Sequence, residues 1–318
     1  MKKVLITGIS GFAGKHLASL LVQNSELQIH GTFHSAGSDA KLAELKDRVT
    51  LSQVDLSNKE EVGALISSIS PEQVYHLAAQ TSPSESLKNP AETLSTNTLS
   101  QLYLLEALDA LPNHPRIVTV TSSEIYGKVA FSDLPVNEST TFRPISPYAV
   151  SKITQDYLSY YYFLVKKMNI IRARPFNHTG SGQEKFVVPA FARQIAQIEK
   201  GVSTSSVVRV GNLAAKKDFS DVRDIVRGYA LLMEKGIPGE AYNLGSGKSV
   251  SIQWMLDTLL SFSDKQIEVE IDQALFRPLD IEDIYADNTR ITNDTGWKPE
   301  ISLEKTLKDV LDYFREVV

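Results

Sequence analysis

The stretch TGISGFAG, residues 7–14, sets three glycines at intervals of three between an apolar run and an amphipathic helical pattern. The run at residues 4–7 is typical of a first strand, and the helix is predicted near residues 14–24. Glycine here lets the backbone turn sharply and approach a pyrophosphate, whose charge the N–H groups and positive end of the following helix stabilise. The context therefore predicts a dinucleotide site, the alternative being a tight turn that binds no ligand.

The rest of the first half alternates short apolar runs with longer helical patterns. Strands are predicted at residues 4–7, 28–33, 49–55, 74–77, 116–121 and 169–172, and helices near 14–24, 59–68, 96–111 and 147–167. Strands separated by helices need crossover connections, and short, almost wholly apolar strands indicate a parallel sheet covered on both faces. The predicted fold class is α/β, a doubly wound parallel (Rossmann) sheet with a smaller α/β lobe towards the C-terminus.

The domain boundaries follow from where this alternation loosens, beyond about residue 175. We expect residues 1–175, with about 211–247, to form the dinucleotide-binding domain. About 176–210 and 248–318 are expected to form the smaller lobe, which binds the substrate.

Composition and charge exclude several classes of function. The 318 residues include 33 basic and 38 acidic ones, with no long run of either sign, so no nucleic-acid partner is expected. No apolar run is long enough to cross a bilayer, and no His, Asp or Glu cluster has the spacing of metal ligands. The chain has no cysteine, which fits a reducing compartment, and we expect the cytoplasm.

The residues after the second strand bear on the choice of cofactor. Residues 31–35 read GTFHS and contain no acid to accept hydrogen bonds from an adenosine 2′-hydroxyl and repel a 2′-phosphate. His34 and Ser35 can donate hydrogen bonds to a phosphate, which favours NADP(H) slightly over NAD(H). The alternative is that His34 is a surface turn residue.

Two further strand ends carry candidates for cofactor contact. Asp55, with Leu56 beside it, ends the third strand and is a candidate for the adenine, or it caps the next segment. Ala78 and Ala79 follow the fourth strand and are small enough to let a cofactor pass close by, although small residues also suit ordinary helix–sheet packing.

A second motif combines a tyrosine and a lysine on one helix. Ser146 and the proline after it are typical of an N-cap and a first helical residue, and Tyr148 and Lys152 are then one turn apart on the same face. A nearby ammonium stabilises phenolate and is predicted to lower the tyrosine pKa. Ser122 follows the strand at residues 116–121 and would face the same crevice. Alone, a Tyr-x-x-x-Lys pair is more commonly a surface packing pair.

Together these features resemble the extended short-chain dehydrogenase/reductases, whose marks are Thr-Gly-x-x-Gly-x-x-Gly and Tyr-x-x-x-Lys. Further matches, RPFNHTG at 174–180, FVVP at 186–189 and DVRD at 221–224, are similar to the nucleotide-sugar branch. Within that branch they are most similar to the GDP-4-keto-6-deoxy-D-mannose reductases. The resemblance covers essentially the whole chain.

The resemblance implies an NAD(P)H-dependent reduction of the C4 ketone of a nucleotide-linked 4-keto-6-deoxyhexose, giving GDP-D-rhamnose or its 4-epimer. It implies a catalytic triad of Ser122, Tyr148 and Lys152, with Tyr148 as proton donor and a homodimer formed through the helices near 96–111 and 147–167. Besides the residues above, it implies cofactor contacts at Gly8, Gly11, Phe12, Ala13, Gly14, Tyr148, Lys152 and Pro175. The implied substrate contacts are Ser123, Asn177, Val188, Arg209, Lys217 and Arg277.

Several alternatives stay open. Glu124 occupies the position where related dehydratases carry the glutamate that removes the C5 proton, so it is also a catalytic candidate and supports a 4,6-dehydratase or 4-epimerase. A dinucleotide-binding sensor without catalysis is an alternative of another class. Residues 214–217 read AAKK where the family usually has Asp-x-x-Arg, so Lys217 stands in place of the arginine. Lys216 and Lys217 could also form a solvated loop pair, and Arg277 could make a surface salt bridge. The nucleotide base and the C4 configuration of the product are undecided.

Overall fold

The computed structural model of the chain describes residues 1–276 and 281–318. The strands are β1 (Lys2–Thr7), β2 (Leu27–Phe33), β3 (Val49–Gln53), β4 (Gln73–His76), β5 (Arg116–Val120), β6 (Asn169–Pro175), β7 (Asn177–Thr179), β8 (Val207–Val210), β9 (Lys216–Lys217), β10 (Phe219–Asp221), β11 (Ala241–Leu244), β12 (Val250–Ser251) and β13 (Glu268–Ile271).

The helices are α1 (Phe12–Leu21), α2 (Lys59–Ile69), α3 (Pro83–Lys88), α4 (Pro90–Asp109), α5 (Pro147–Lys166), α6 (Val187–Glu199), α7 (Val222–Lys235), α8 (Ile252–Ser261), α9 (Thr289–Thr295) and α10 (Leu303–Val317). Short 3-10 segments lie at Ser38–Leu45, Ser123–Ile125, Phe131–Asp133 and Gln273–Leu275. Within the described ranges, none of the helices combines the length and the apolar character needed to cross a membrane.

Seven strands form one sheet in the order β11-β6-β5-β4-β1-β2-β3, and every neighbouring pair is parallel. β1 is an interior strand, with Val4 opposite Ile29 of β2 on one side and Gln73 of β4 on the other. The chain order reverses between β1 and β4, and in such sheets the ligand crevice lies outside the carboxyl ends of the strands at that point. The predicted doubly wound parallel sheet is confirmed.

Among the predicted boundaries that shift, three do so for a clear local reason. α1 begins at Phe12 rather than at residue 14, because Gly11 already has the extended backbone of an N-cap. α4 begins at Pro90 rather than near residue 96, with proline in the first turn where an N–H needs no helical partner. β6 continues to Pro175, beyond the predicted end at residue 172, because β11 pairs with it along that stretch.

Two apolar clusters cover the two faces of the sheet. Val4 and Ile6 point to the face covered by α1 and α7, whereas Leu5 between them points to the face covered by α2 and α4. Successive side chains of a strand alternate between faces, so a strand buried on both sides must be apolar throughout. This double burial explains the continuous VLI run that follows the N-terminal lysines.

The smaller lobe has its own core between α6, α8 and α10, with Phe191, Met255 and Leu311 among its buried residues. The expected domain boundaries assign the stretch around α9 to this lobe, but the described structure packs it elsewhere. Trp297 is fully buried in the cluster with α7, and its Nε1 donates to the backbone oxygen of Asp224 over 2.8 Å. This segment therefore packs against the sheet domain.

Candidate active site

A cavity of about 1820 Å³ lies across the carboxyl ends of the sheet strands and is walled by both lobes. Its wall includes the predicted residues Gly8, Gly11, Phe12, Ala13, Gly14, His34, Asp55, Leu56, Ala78, Ala79, Ser122, Ser123, Glu124, Tyr148, Lys152, Pro175, Asn177, Val188, Arg209 and Lys217. Of the predicted residues that the structure describes, Ser35 alone is outside the wall; Arg277 lies outside the described residues. In residues 1–276 and 281–318, no three His, Asp or Glu side chains converge as metal ligands.

The glycine loop joins β1 to α1 at one end of this cavity. Gly8 has a φ of +71°, and a Cβ there would lie 2.9 Å from the Cα of Ala78. A Cβ on Gly14 would overlap the carbonyl oxygen of Gly8. Gly11 is the N-cap of α1 and has no side chain to bond the first helical N–H groups, which stand at the cavity wall. The loop thus forms a tight cradle at a helix N-terminus, which suits a pyrophosphate.

Ser35 turns away from the cavity because its segment folds on itself. Its backbone oxygen accepts hydrogen bonds from the N and Oγ of Ser38, which begins the 3-10 segment, and its side chain is exposed. His34, the residue before it, does line the cavity. Of the two phosphate donors expected from the sequence, the structure brings only His34 to the site.

Two lysines that sequence reasoning missed stand in the same cavity wall as His34. Lys15 follows the glycine loop on α1, and Lys41 lies in the 3-10 segment after β2. Lys41 Nζ is 3.0 Å from Oε1 of Glu184, and both residues line the cavity. Nothing in the spacing of these lysines signals a site, because the fold of the connecting segment decides where they point.

Asp55 stands in the cavity wall, and the alternative that it caps the next helix is wrong. Its Oδ1 accepts hydrogen bonds from the backbone N of Ser57 at 2.8 Å and from its hydroxyl at 2.6 Å, and these bonds lower the pKa of the carboxyl. The N-cap of α2 is Asn58, whose side chain accepts from two backbone N–H groups of the first turn. Asp55 therefore shapes the turn before α2 and also stands in the cavity wall.

The tyrosine–lysine helix begins as predicted. Ser146 Oγ accepts from the backbone N of Ala149 at 3.1 Å, and Pro147 is the first residue of α5. Tyr148 and Lys152 are both buried on the face towards the sheet. Lys152 Nζ lies 5.9 Å from the centre of the Tyr148 ring.

Ser122 meets the tyrosine from the end of β5. The two side chains are hydrogen-bonded, and this bond works to lower the pKa of Tyr148. The next turn, Ser123–Ile125, is capped by Ser122, whose Oγ accepts from the backbone N of Glu124 at 3.2 Å. One strand end and one helix start therefore bring the three triad residues and Glu124 to the same part of the cavity.

The predicted fall in the tyrosine pKa is wrong for this structure. Burial raises the pKa of Tyr148 above its ordinary value, the hydrogen bond with Ser122 opposes that rise, and the charge of Glu124 adds to it. Lys152 is itself buried, and burial lowers its pKa to about 7. Local spacing predicts an ammonium beside the phenol, but desolvation acts on both groups and makes the charged forms unfavourable.

Three of the expected substrate residues, Asn177, Val188 and Arg209, belong to the part of the chain expected to form the smaller lobe, whereas Ser123 follows β5. Asn177 is half-buried and its Nδ2 donates to the backbone oxygen of Asp218 over 3.4 Å. Val188 is buried in the first turn of α6, whereas Arg209 is exposed with its Nε 3.5 Å from Oε2 of Glu270. These three residues line the same cavity as Ser122, Tyr148 and Lys152.

Lys216 and Lys217 do not form a loop pair. They make strand β9, which pairs antiparallel with β12. Lys216 is exposed, but Lys217 is half-buried in the cavity wall and its Nζ donates to the backbone oxygen of Ile281 over 2.7 Å. Strand pairing fixes the alternation that points Lys217 inwards, and the sequence of these two lysines alone does not reveal it.

An aromatic and histidine group beside the glycine loop was not predicted as a site. The ring of Phe12 stacks on that of His178 at 6.2 Å, and His16 meets Phe12 edge-on at 5.2 Å. His178 lies in β7, and its Nδ1 pairs with the backbone oxygen of Phe176. Burial lowers the pKa of both histidines. The available signal was the one-turn spacing of Phe12 and His16.

Comparison with known proteins matches the chain to one family over nearly its full length. The family model described as GDP-mannose 4,6 dehydratase matches residues 5–310. A GDP-6-deoxy-D-mannose reductase of Pseudomonas aeruginosa is 32% identical over 311 residues, covering 98% of this chain and 96% of that protein. A GDP-mannose 4,6-dehydratase of Yersinia enterocolitica is 27% identical over 352 residues, covering 98% and 93%.

Solved structures of related enzymes are similar to this chain over nearly its whole length. RMD from Pseudomonas aeruginosa, complexed with NADPH, has a TM-score of 0.86 and 31% identity, with 100% of each chain covered. UDP-glucuronic acid 4-epimerase from Bacillus cereus, complexed with UDP-glucuronic acid and NAD, has a TM-score of 0.87 and 25% identity, with 99% and 100% covered. With its doubly wound sheet, glycine loop and Ser-Tyr-Lys site, this chain belongs to the GDP-mannose 4,6-dehydratase family of extended short-chain dehydrogenase/reductases, which are NAD(P)-dependent enzymes.

Proposed function

We propose that this protein reduces the C4 ketone of a nucleotide-linked 4-keto-6-deoxyhexose, with GDP-4-keto-6-deoxy-D-mannose as substrate and GDP-D-rhamnose or its 4-epimer as product. The observation that carries the proposal is the meeting of Ser122, Tyr148 and Lys152 in one cavity at the carboxyl end of β5. The choice of substrate is supported by the 32% identity to a GDP-6-deoxy-D-mannose reductase.

Each triad residue has a distinct task in this reaction. The hydroxyl of Tyr148 gives its proton to the oxygen that becomes negative at C4, and the phenolate later regains a proton from solvent. Ser122 donates a hydrogen bond to the same oxygen, which stabilises the developing charge. Lys152, anchored to a β5 backbone oxygen, binds the ribose hydroxyls at the nicotinamide end of the cofactor. A bound reduced nicotinamide supplies the hydride for C4.

The residues present fit a dinucleotide. The cradle of Gly8 and Gly14 has no space for a Cβ, and α1 points its uncapped N-terminus at the cavity, so these groups bind the pyrophosphate. His34, Lys15 and Lys41 are available for the adenosine end. Their positive and donor groups support a preference for NADP(H) over NAD(H), because a 2′-phosphate attracts cations that a 2′-hydroxyl does not need.

The test is to mix the purified protein with NADPH and enzymatically generated GDP-4-keto-6-deoxymannose, follow the absorbance of the reduced cofactor, and identify the sugar by NMR. Oxidation of one NADPH per 6-deoxyhexose formed is the expected result, and the NMR spectrum gives the C4 configuration. Tyr148→Phe should lower turnover by about 100-fold or more with cofactor binding retained. Absence of NADPH oxidation by the wild-type protein contradicts the proposal.

A second candidate, a GDP-mannose 4,6-dehydratase, is favoured by Glu124. This carboxylate stands half-buried in the cavity wall beside Tyr148, where it could remove a proton from the sugar ring. A dehydratase would convert GDP-mannose alone, without net consumption of NADPH. Glu124→Gln separates the two candidates, because it should abolish dehydration but leave a reduction carried by Ser122 and Tyr148 within about tenfold.

We also propose a homodimer formed through α4 and α5. The outer face of α5 exposes Tyr157, Tyr161, Leu164 and Val165, and exposed apolar clusters mark interaction surfaces. Light scattering should report twice the chain mass. The double variant Tyr161→Lys with Leu164→Lys should report the single-chain mass, and a wild-type monomer rejects the proposal.

The proposal assigns one ligand to each domain and places the protein in the cytoplasm. Residues 1–175, with about 211–247 and the segment around α9, bind the cofactor, and the smaller lobe binds the sugar nucleotide. The absence of cysteine from the sequence supports a cytoplasmic location.

A further inference from the structure

Tyr229, on α7, has a hydroxyl that the triad mechanism does not use. The side chain is fully buried, yet it forms part of the cavity wall. Among the residues that the structure describes, no group hydrogen-bonds its OH. The phenol is therefore an unpaired polar group that is buried at the edge of the ligand cavity.

The location of Tyr229 identifies the end of the cavity that it serves. α7 packs against α1, β5 and β6, and Tyr229 shares a core cluster with Val118 of β5 and Ala173 of β6. Burial raises the pKa of its hydroxyl and the charge of Tyr148 raises it further, so the two phenols are electrostatically close. Tyr229 thus lies at the triad end of the cavity, on the α1 side of the sheet.

A dinucleotide bound as proposed above must bring its nicotinamide to this end. Its pyrophosphate is held at the start of α1 and its adenosine lies towards β2, so the other half extends over β5 and β6. The nicotinamide ring carries one hydrogen-bonding substituent, a carboxamide with an acceptor oxygen and a donor NH₂. A phenol hydroxyl can donate to the oxygen or accept from the NH₂.

Energetics favour a partner for this hydroxyl in the bound state. An unsatisfied buried polar group is costly, and most such groups in native proteins have a partner or a function. We propose that the Tyr229 hydroxyl hydrogen-bonds the carboxamide of the bound nicotinamide and so holds the ring in one orientation. Tyr229 is then a positioning residue for the cofactor, an inference that rests on the dinucleotide site of the proposed function.

The test compares two ligands that differ at the nicotinamide. The dissociation constants of NADPH and of 2′-phospho-ADP-ribose, which lacks the nicotinamide, are measured by calorimetry for the wild type and for Tyr229→Phe. The variant should bind NADPH roughly three- to tenfold more weakly, the size of one neutral hydrogen bond, and 2′-phospho-ADP-ribose equally well. The melting temperature of the free variant should not fall, because the lost hydroxyl has no partner in the described structure.

Tyr242→Phe is the matched control. Tyr242 is buried in the same core cluster, but its hydroxyl is already bonded to Asp294 and to the backbone N of Ile237, and it does not line the cavity. This variant should melt at a lower temperature and bind NADPH with unchanged affinity.

Each other outcome has one meaning. Equal NADPH affinity in the wild type and Tyr229→Phe overturns the inference. Equal weakening of both ligands also overturns it, because the effect would then come from packing and not from the carboxamide. A wild-type protein that binds neither ligand contradicts the proposed function instead.

Discussion

Lys152 Nζ donates to the backbone oxygen of Val120 over 3.1 Å, so the ammonium of α5 is anchored to the last residue of β5. The anchor holds α5 against the strand whose end presents Ser122. It also places a cation in a buried setting, and burial lowers its pKa to about 7.

This burial predicts how the stability of the ligand-free protein depends on pH. The pKa of Lys152 is about 7 when folded and near 10.5 when unfolded, so the unfolded chain binds more protons between those values. The penalty of the buried charge is complete below pH 7 and disappears as the pH rises towards 10.5. Lys152→Met removes this titration. The variant should gain stability over the wild type at pH 6, and the gain should shrink by pH 9.5, as measured by urea unfolding. A constant difference across this range would contradict the lowered pKa.

Replacing Asp156, which lies one turn after Lys152 on α5, should cause a large loss of stability. Its carboxylate is fully buried and accepts from Arg172 at 2.6 Å and from Arg174 at 2.8 and 2.9 Å. Burial acts to raise the pKa of Asp156, but the hydrogen bonds and charges of the two arginines bring it below its usual value. Asp156→Ala leaves the buried Arg174 without its counter-charge and should cost about 3–5 kcal/mol in urea unfolding.

The control for Asp156 is an exposed ion pair. Lys308 and Asp312 lie one turn apart on α10, with Nζ 2.7 Å from Oδ2 and both side chains exposed to solvent. Lys308→Ala should cost no more than about 0.5 kcal/mol. If the two variants lose similar amounts of unfolding free energy, the ion pairs of Asp156 contribute no more to stability than an exposed pair does.

Replacing glycine by alanine should weaken cofactor binding at one position, Gly14 in the glycine loop, and raise stability at another, Gly63 in α2. Gly14→Ala places a methyl group against the backbone of Gly8 and should displace the cradle, weakening dinucleotide binding by at least about tenfold. Gly63→Ala, in the interior of α2 with open space around its Cβ, should stabilise the protein by about 0.5–1 kcal/mol without changing affinity. Calorimetric titration and thermal unfolding measure both. Normal binding by Gly14→Ala would rule out the loop as the pyrophosphate site.

The preference between cofactors should depend on Lys41. Lys41→Ala should weaken binding of NADP⁺ by about three- to tenfold and leave binding of NAD⁺ nearly unchanged, because only the former carries a 2′-phosphate. Lys46 provides the matched control: it is an exposed lysine directly after the same 3-10 segment and does not line the cavity. Lys46→Ala changes the net charge identically and should leave both affinities unchanged. If Lys41→Ala weakens the binding of NADP⁺ and NAD⁺ to the same extent, Lys41 does not contact the 2′-phosphate.

Much of the fold and the centre of the site could be predicted because the signals are local. Glycines between a strand and a helix, a Ser-Pro helix start and a tyrosine one turn from a lysine each depend on fewer than ten residues. The carboxyl ends of parallel strands meet at one edge of a sheet, so the sequence alone predicts that Ser122 and the glycine loop lie at the same edge.

Quantities that sum over distant parts of the chain could not be predicted. The spacing of Tyr148 and Lys152 indicates their proximity, but their burial in the folded chain makes both charged forms unfavourable. In the same way, the path of the segment after β2 turns Ser35 out and Lys41 in.

The sequence by itself determined the doubly wound sheet, the glycine loop between β1 and α1, and the expectation that Ser122, Tyr148 and Lys152 converge, because hydrophobic period, turn chemistry and helical spacing are properties of neighbouring residues. Only the tertiary structure decided which lysines face the cavity, how strongly Tyr148 and Lys152 are desolvated, and that Tyr229 on α7 lines the cavity with a buried hydroxyl. Solvent exclusion and contacts between elements remote in sequence arise only when the whole chain is packed, so local patterns carry no record of them.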